Sequence, residues 1–563
     1  MNIALSRGHG LWSWRSYVFI VPLRKVKDGI SVTSKKGKAM SKKKELMSVK
    51  RESTAGLRAI IESVIFSVIF WFIALYFMLV PVNLTSKMFD LLISVWVFII
   101  GLIIKHANND KKSKPAIVFL RVGSLAFGAL LIAMLFSAPL FHAKSFAGIA
   151  PEPETVDFAD TIAEFDPKAG NVALLDTKTS EVLSERELGS LTDIASQFEL
   201  DRATTIEQNG LLIKVQPLDY SNVMKYFSNR VNGTPGYVKV NSDSGKAELV
   251  RLDKGLHYTP GACFSDDLMR HVYNYDMTRL YGKDWFEIDD EGKPYFIVPF
   301  YKHKSFLFAN ELQGILSVDA VSGEVREYQV KDIPEWVDTA FNGDYIAKIY
   351  EDHYMLKNGF LNSVFSQTGC FELTRTYTIN EDGEKEYGDN DYGYIAVNDD
   401  MYVYTGVTSA TKDASDIVML MVNTRTGESR FFAIAGADEG SAMGAAEGEL
   451  QQYGYKASFP SLINVNGRPV YLMVLTDANN IVKNMAMVDM QEYSIVATGK
   501  TKADVLKSYL GITGHVTADN TGTDINTDDI EKARSFSIDS DEKGTSITIT
   551  LEDGTIKHYK ISK

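Results

Sequence analysis

Three apolar runs, closely spaced near the N-terminus, constrain this chain more than anything else in it. Residues 59–82 read AIIESVIFSVIFWFIALYFMLVPV with Glu62 as their one charge; residues 88–104 read MFDLLISVWVFIIGLII with Asp90 near the start; residues 116–141 carry Arg121 close to theirs. At about 1.5 Å of rise per residue such runs suit a hydrocarbon layer ~30 Å thick. Buried helices of a soluble protein are shorter and do not come three in succession. The sequence therefore predicts three transmembrane helices, with the lipid bilayer as the first partner.

Charge is divided as sharply as hydropathy. Residues 1–144 hold 21 of the 59 Lys and Arg but only 6 of the 72 Asp and Glu, so a basic N-terminal part of net +15 precedes an acidic part of net −28. A domain that acidic repels nucleic acid, which we exclude as a partner. The bases also set an expected orientation. Lys42, Lys43, Lys44, Lys50, Arg51 and Arg58 precede the first run, and Lys105, Lys111, Lys112 and Lys114 lie between the second and third, whereas the link from Asn83 to Lys87 has one lysine. Bases favour the cytoplasmic side. The expectation is a plasma-membrane protein with its N-terminus in the cytoplasm and everything from about Ala143 onward outside.

The first run lies too far from the N-terminus, and is too long, for a cleaved secretory signal. Ahead of it, the patch YVFIVPL with Trp12 and Trp14 reads either as an interfacial segment or as sequence upstream of a natural start at Met40 or Met47 rather than Met1. The expected division is a basic cytoplasmic tail (1–58), the membrane region (59–142), a first β-rich unit (143–262), two further units (263–378 and 379–510), and a linker with a C-terminal hairpin (511–563). Within the last, residues 517–529 read as linker and 546–551 with 556–561 as the hairpin.

Beyond the membrane region, short alternating strands are separated by turn residues, and one pattern recurs: an apolar residue, Asp or Asn, two variable positions, Ser or Thr, Gly or Ser, then Glu or Lys. It occurs from Leu175 to Glu181, Val240 to Lys246, Val318 to Glu324 and Val422 to Glu428. Asp or Asn bonds backbone groups two residues on, and Gly supplies the positive φ that closes a tight hairpin. A helix is expected ahead of the third copy, over 266–281 behind Ser265 as N-cap, followed by strands at 285–288 and 295–301. The same order is expected later, with a helix over 441–453 and strands at 456–464, 470–476 and 484–490. A weaker copy uses 220–227. The expected fold class is α+β.

A helix followed by a small antiparallel sheet ending in VDAVSGEV (Val318 to Val325) resembles the PepSY family of bacterial envelope-associated and secreted proteins, over roughly residues 264–330 and 438–500. The later copy departs from it, because Val488-Asp489 is followed by Met490, Gln491 and Glu492 without a Ser-Gly pair. The whole layout is also similar to uncharacterised three-span membrane proteins of Gram-positive bacteria. The resemblance implies binding or inhibition rather than catalysis: a membrane-anchored protein contacting an envelope protein or wall component. The alternatives are an envelope hydrolase with dispersed acids and an accessory sensor subunit. A β-propeller ranks second as architecture, because the turns lie unevenly along the chain and farther apart than propeller blades of ~40–50 residues.

Signatures of catalysis are sparse. HExxH, GxSxG and the Gly-rich phosphate loops are missing from places where their mechanisms work. Cys263 with His257, and Cys370 with His353, are the thiol–imidazole pairs that sequence proximity offers. The same two cysteines form either one disulfide or two free thiols. The acidic stretches Asn380 to Asp391 and Asp289 to Glu291 are candidate calcium loops without the EF-hand order. Trp285, Phe286, Tyr295, Phe296, Phe300 and Tyr301 crowd one strand pair, which reads as burial on both faces or, as the alternative, one face offered to a partner or glycan. No catalytic, cofactor-binding or metal-binding residue is assigned.

Overall fold

A computed structural model describes residues 35–108, 113–169, 172–175, 177–374, 377–379, 385–387, 392–410, 415–416, 418–434, 436–513, 533–541, 544–551 and 556–561. Three of its helices are long and apolar enough to cross a membrane, at Thr54–Phe77, Lys87–Asn108 and Lys114–Ser137. The first belongs to α1 (Lys35–Phe72) and a π-helical turn, Ile73–Phe77; the others are α2 (Lys87–Asn108) and α3 (Lys114–Ser137). Two glycines let α2 and α3 meet backbone to backbone: a Cβ on Gly101 would lie 2.8 Å from the Leu120 nitrogen, and one on Gly123 2.7 Å from that of Phe98. Such small residues are the usual means of close packing between helices in lipid. Trp96 ties α2 to α1 by donating to Ser67 Oγ at 3.0 Å.

Two span ends differ from expectation. The first helix stops at Phe77 rather than continuing to Val82, since Leu79 takes φ +48°, and the Val82 amide donates to Met277 O at 2.7 Å. Residues 79–82 thus belong to the docking surface. The third helix ends at Ser137 instead of Phe141. Ala138 is extended ahead of Pro139, as a residue before proline prefers, and a separate helix α4 (Pro139–Ala147) begins there.

Among the described residues beyond α4, four antiparallel four-stranded meanders form the main body. In chain order they are β1 (Thr204–Gln208), β2 (Leu211–Tyr220), β3 (Thr234–Asn241) and β4 (Ala247–Leu256); β5 (Trp285–Ile288), β6 (Pro294–Ser305), β7 (Phe308–Asp319) and β8 (Val325–Gln329); β9 (Gly393–Val397), β10 (Asp400–Ser409), β11 (Val418–Asn423) and β12 (Ser429–Phe432); and β13 (Ser461–Val465), β14 (Arg468–Thr476), β15 (Val482–Asp489) and β16 (Val496–Gly499). Local chemistry repeats with them. The first hairpin of the first, third and fourth meanders is a two-residue turn with both residues at positive φ: Asn209-Gly210, Asn398-Asp399 and Asn466-Gly467. That geometry matches strand twist and selects Asn, Asp and Gly.

In the last hairpin of every meander one side chain organises the turn. Asn241 Oδ1 accepts from the amides of Asp243 and Ser244, Asp319 from Val321 and Ser322, Asn423 from Arg425 and Thr426, and Asp489 from Gln491 and Glu492, all at 2.8–3.0 Å. Three of the four recurrences seen in the sequence are these hairpins. The one at Leu175 to Glu181 is not: from Thr177 it runs into helix α5 (Thr177–Ser190). Its Ser180 stands where the others have a glycine at positive φ.

The meanders pack face to face in a cycle. Ile206, Ile213 and Val215 of the first meet Phe286, Phe296 and Val298 of the second, with Leu268 and Val272 of α6 (Leu268–Tyr275) between them. The second packs Ile297, Leu312 and Ile315 against Val337 and Phe341; Phe341 and Tyr345 continue into a core where α7 (Gly343–Leu356) meets Val403, Leu420 and Val422 of the third. Tyr402, Met421 and Phe432 of the third meet Tyr471, Met473 and Leu475 of the fourth, beside Ala442 and Ala446 of α8 (Glu439–Glu449). Val470, Leu472 and Met487 of the fourth then meet Val238 and Val240 of the first, with Val505 and Tyr509 of α9 (Lys502–Thr513). Four sheets, each built on a four-stranded meander with one or two short added strands, close on one another in the arrangement of a four-bladed β-propeller. The sequence ranked this second because of uneven turn spacing; the helices inserted between blades account for that unevenness.

The expected helices are present but shorter. Asp267, not Ser265, caps α6, which ends at Tyr275; Asp438 caps α8; and Asn222 caps a helix at Val223–Asn229. The aromatic strand pair is covered on both sides, Phe286 and Phe296 facing the first blade while Tyr295 packs against Trp336 with ring centres 4.6 Å apart. The C-terminal hairpin appears as β18 (Gly544–Leu551) and β19 (Ile556–Ile561), joined by β17 (Ala533–Asp541). The linker expected at 517–529 lies outside the described residues.

The second blade and its helices fasten the ring to the membrane helices. Arg270 donates to Tyr76 O at 3.1 Å with its guanidinium 4.5 Å from the Tyr76 ring centre, Tyr273 donates to Val80 O at 2.7 Å, Ser305 to Ser137 O at 2.9 Å, and His353 Nδ1 to Ala147 O at 2.8 Å. Tyr273 is buried, so Tyr273→Phe leaves the Val80 carbonyl unpaired at a cost of about 1–3 kcal/mol. Chemical unfolding of the full chain in micelles is expected to show that loss, with no change for Tyr275→Phe, whose ring is half exposed.

Candidate functional site

Cyclic packing of four blades brings the start of each innermost strand to one place, and there the ring encloses a cavity of about 710 Å³. Thr204 and Thr205 come from β1, Trp285 from β5, Gly393 and Tyr394 from β9, and Ser461 from β13; Lys214, Lys283, Asp344, Tyr392 and Tyr404 add to the polar lining, with Thr177, Thr339 and Asn342. Lys214 is 3% exposed, its ammonium 2.8 Å from Thr205 Oγ1 and 3.3 Å from Thr177 Oγ1. The Lys283 ammonium stands 5.7 Å from the Trp285 ring centre. Tyr392 donates to Asp344 Oδ1 at 2.9 Å, and Tyr404 accepts from the Leu462 amide at 3.1 Å. Burial above all, and for Tyr392 also the neighbouring Tyr394 and Asp344, pushes the phenols of Tyr392 and Tyr394 up, so both remain neutral at physiological pH.

A cavity presenting two ammonium groups, hydroxyls and aromatic faces is equipped to hold a polar, anionic ligand. Among the described lining residues Asp344 is the only carboxylate. Glycan cleavage by paired carboxyls requires two across the bond.

The thiol–imidazole pairs suggested by sequence do not assemble. Both cysteines are free thiols, so the disulfide alternative is not realised. Burial raises both thiols above their ordinary value, the opposite of an activated nucleophile. Cys370 accepts from Asn362 Nδ2 at 3.2 Å, while His353 turns to Ala147 and, at 3.4 Å, Glu152. Asp289 shapes the β5–β6 turn, accepting from the Lys293 amide at 2.8 Å, and the described residues contain no group of three or more His, Cys, Asp or Glu placed to hold a metal ion. Of Asn380 to Asp391, only Lys385–Tyr387 is described, as a strand.

Sequence reasoning missed a set of buried acids near the ring's centre. Glu287, fully buried on β5, accepts from the amides of Asp338 (3.0 Å) and Thr339 (2.9 Å), while Asp338 accepts from the Glu207 amide of β1 at 2.7 Å. Together they tie the innermost strands of two blades to the segment before α7. Burial raises the pKa of both, and Glu287 raises Asp338 further. No motif marks them, since each bonds to residues distant in the chain.

No protein-family model matches the chain, and no curated protein matches it in sequence.

The buried acids predict a pH dependence. Asp219 accepts from Thr259 Oγ1 (2.6 Å), the Gly261 amide (2.6 Å) and the Tyr220 amide (2.7 Å), yet burial outweighs these bonds and pushes it up to about 6. A carboxyl whose pKa is higher folded than unfolded favours the folded state when protonated. Its stabilisation is therefore present below the unfolded value of 3.8 and lost as the pH rises through about 6. The loss is on the order of 3 kcal/mol. Chemical unfolding of the full chain between pH 4 and about 6 is expected to show that decline, and Asp219→Asn to flatten it.

Proposed function

We propose that this chain is a membrane-anchored cell-surface binding protein whose ring takes a polar, anionic component of the envelope into its central cavity without altering it chemically. The observation that carries this reading is the cavity itself: Lys283 beside Trp285, Lys214 on the threonine hydroxyls of Thr205 and Thr177, and neutral tyrosines in the same lining. Ammonium groups and aromatic faces together suit a single acidic unit of a wall polymer, or a short acidic segment of an envelope protein, held locally in a domain whose net charge repels a long polyanion at large. The PepSY-like ending at Val318 to Val325 implies the same non-catalytic class of role.

Sidedness in this reading rests on the bases. Lys42 to Lys44 on α1, Lys105 at the end of α2 and Lys114 at the start of α3 lie away from the ends that meet the ring, and with the other bases of these stretches the positive-inside bias favours a ring outside the plasma membrane. Docking by residues 76–83 and 137–148 keeps the cavity close to the membrane surface, within reach of wall or envelope components.

The test is binding of purified acidic wall polymer to the full chain in lipid nanodiscs. Lys283→Gln combined with Trp285→Ala is expected to weaken it on the order of tenfold or more, given ~1–2 kcal/mol from the cation and ring pair. Release of cleaved polymer, or cytosolic protection of a C-terminal reporter in intact cells, contradicts the proposal.

A further inference from the structure

A second cavity, of about 620 Å³, lies where the ring meets the domain-side turns of α2 and α3. Its chemistry is split by depth. Leu91, Phe127, Leu131 and Met134 line it from the membrane helices, while Lys87, at the head of α2, and His303, on β6, line it from the direction of the ring. The Lys87 ammonium stands 4.0 Å from the Phe308 ring centre, and no described carboxylate forms an ion pair with it. His303 Nδ1 is shielded from solvent without a close hydrogen-bond partner among the described residues, and the side chain of Asn310, its cross-strand neighbour and another lining residue, faces the same imidazole. Burial, and then the charge of Lys87, lowers the basicity of that imidazole, which places the two groups within electrostatic reach of each other.

Depth identifies the occupant. Lys87 begins the second membrane-spanning stretch, so it sits at the boundary between hydrocarbon and headgroups, where lipid phosphates lie; the apolar wall sits one or two turns deeper, at the level of acyl chains. One ammonium group beside an imidazole, above a hydrocarbon-lined slot, fits a molecule with an anionic head and an apolar tail, as basic pockets between transmembrane helices do. A free phosphate matches only the upper half.

We propose that this junction cavity binds one anionic phospholipid, its phosphate between Lys87 and His303 and an acyl chain along α2 and α3. The lipid then fills the seam between ring and membrane helices and completes the docking surface made by Arg270 and Tyr273.

The test is native mass spectrometry of the full chain in mild detergent, supplied with phosphatidylglycerol, phosphatidylcholine or inorganic phosphate. One phosphatidylglycerol per chain is expected, retained roughly fivefold better than phosphatidylcholine, as about 1 kcal/mol from the single ammonium of Lys87 implies. Lys87→Gln with His303→Gln should bring retention down to the phosphatidylcholine level, Lys87→Arg should preserve it, and Leu91→Trp, which fills the apolar half, should lower retention of both lipids. Equal retention of the two lipids by the unaltered chain overturns the proposal, as does displacement of phosphatidylglycerol by inorganic phosphate alone. If the double variant aggregates, the lipid comparison on the unaltered chain and Lys87→Arg still decide the matter.

Discussion

The architecture depends on one contact, the packing of the fourth blade onto the first. Val470, Leu472 and Met487 lie against Val238 and Val240, and α9 covers the seam with Val505 and Tyr509. Each such side chain contributes about 1.5–3 kcal/mol on leaving water. Polar bonds fix the closure: Lys502 reaches Asp243 at 2.8 Å and Ala169 O at 2.6 Å, and Tyr509 donates to the fully buried Asp489 at 2.6 Å. Closure matters because each blade alone is a small sheet with two apolar faces. It is the cycle that covers both faces of every blade and brings four innermost strands around one cavity.

The centre of such a ring has a backbone problem, since innermost strands present unpaired edges. Here the chain itself supplies partners. Glu164 bridges Asn464 and Val172 bridges Ile395, while Asn464 Nδ2 donates to Ile162 O at 2.7 Å and Ser461 Oγ to Ala173 O at 2.7 Å. On the opposite side, Glu287 and Asp338 do the same work with carboxylates. Strand edges and cavity are thus two parts of one solution: polar groups that pair internally pin the strands, and others at the same end of the ring, such as Lys283, line the space between.

Legibility followed the range of the interaction. The membrane helices were visible because lipid imposes length and apolarity residue by residue, and their ends were misplaced where a local break, Leu79 or Pro139, met tertiary docking. Three hairpins were visible because Asn241, Asp319 and Asn423 need only their next few residues. Asp489 makes the same turn without a glycine and so escaped the pattern, while Leu175 to Glu181 matched it and folded into a helix. Ring closure was hidden by α6, α7 and α8, which stretch the spacing between blades. The cavity was least legible, since Lys214, Trp285, Tyr394 and Ser461 are neighbours only after closure.

Hydrogen exchange on the full chain carrying Val240→Asp, a charge placed in the closing seam, tests the ring most directly. A closed cycle predicts faster amide exchange in β5 and β9, the innermost strands of blades that do not contain the substitution, as well as in β1 and β13. Exchange that rises only in the first and fourth blades would show the sheets to be independent modules and contradict the closed ring.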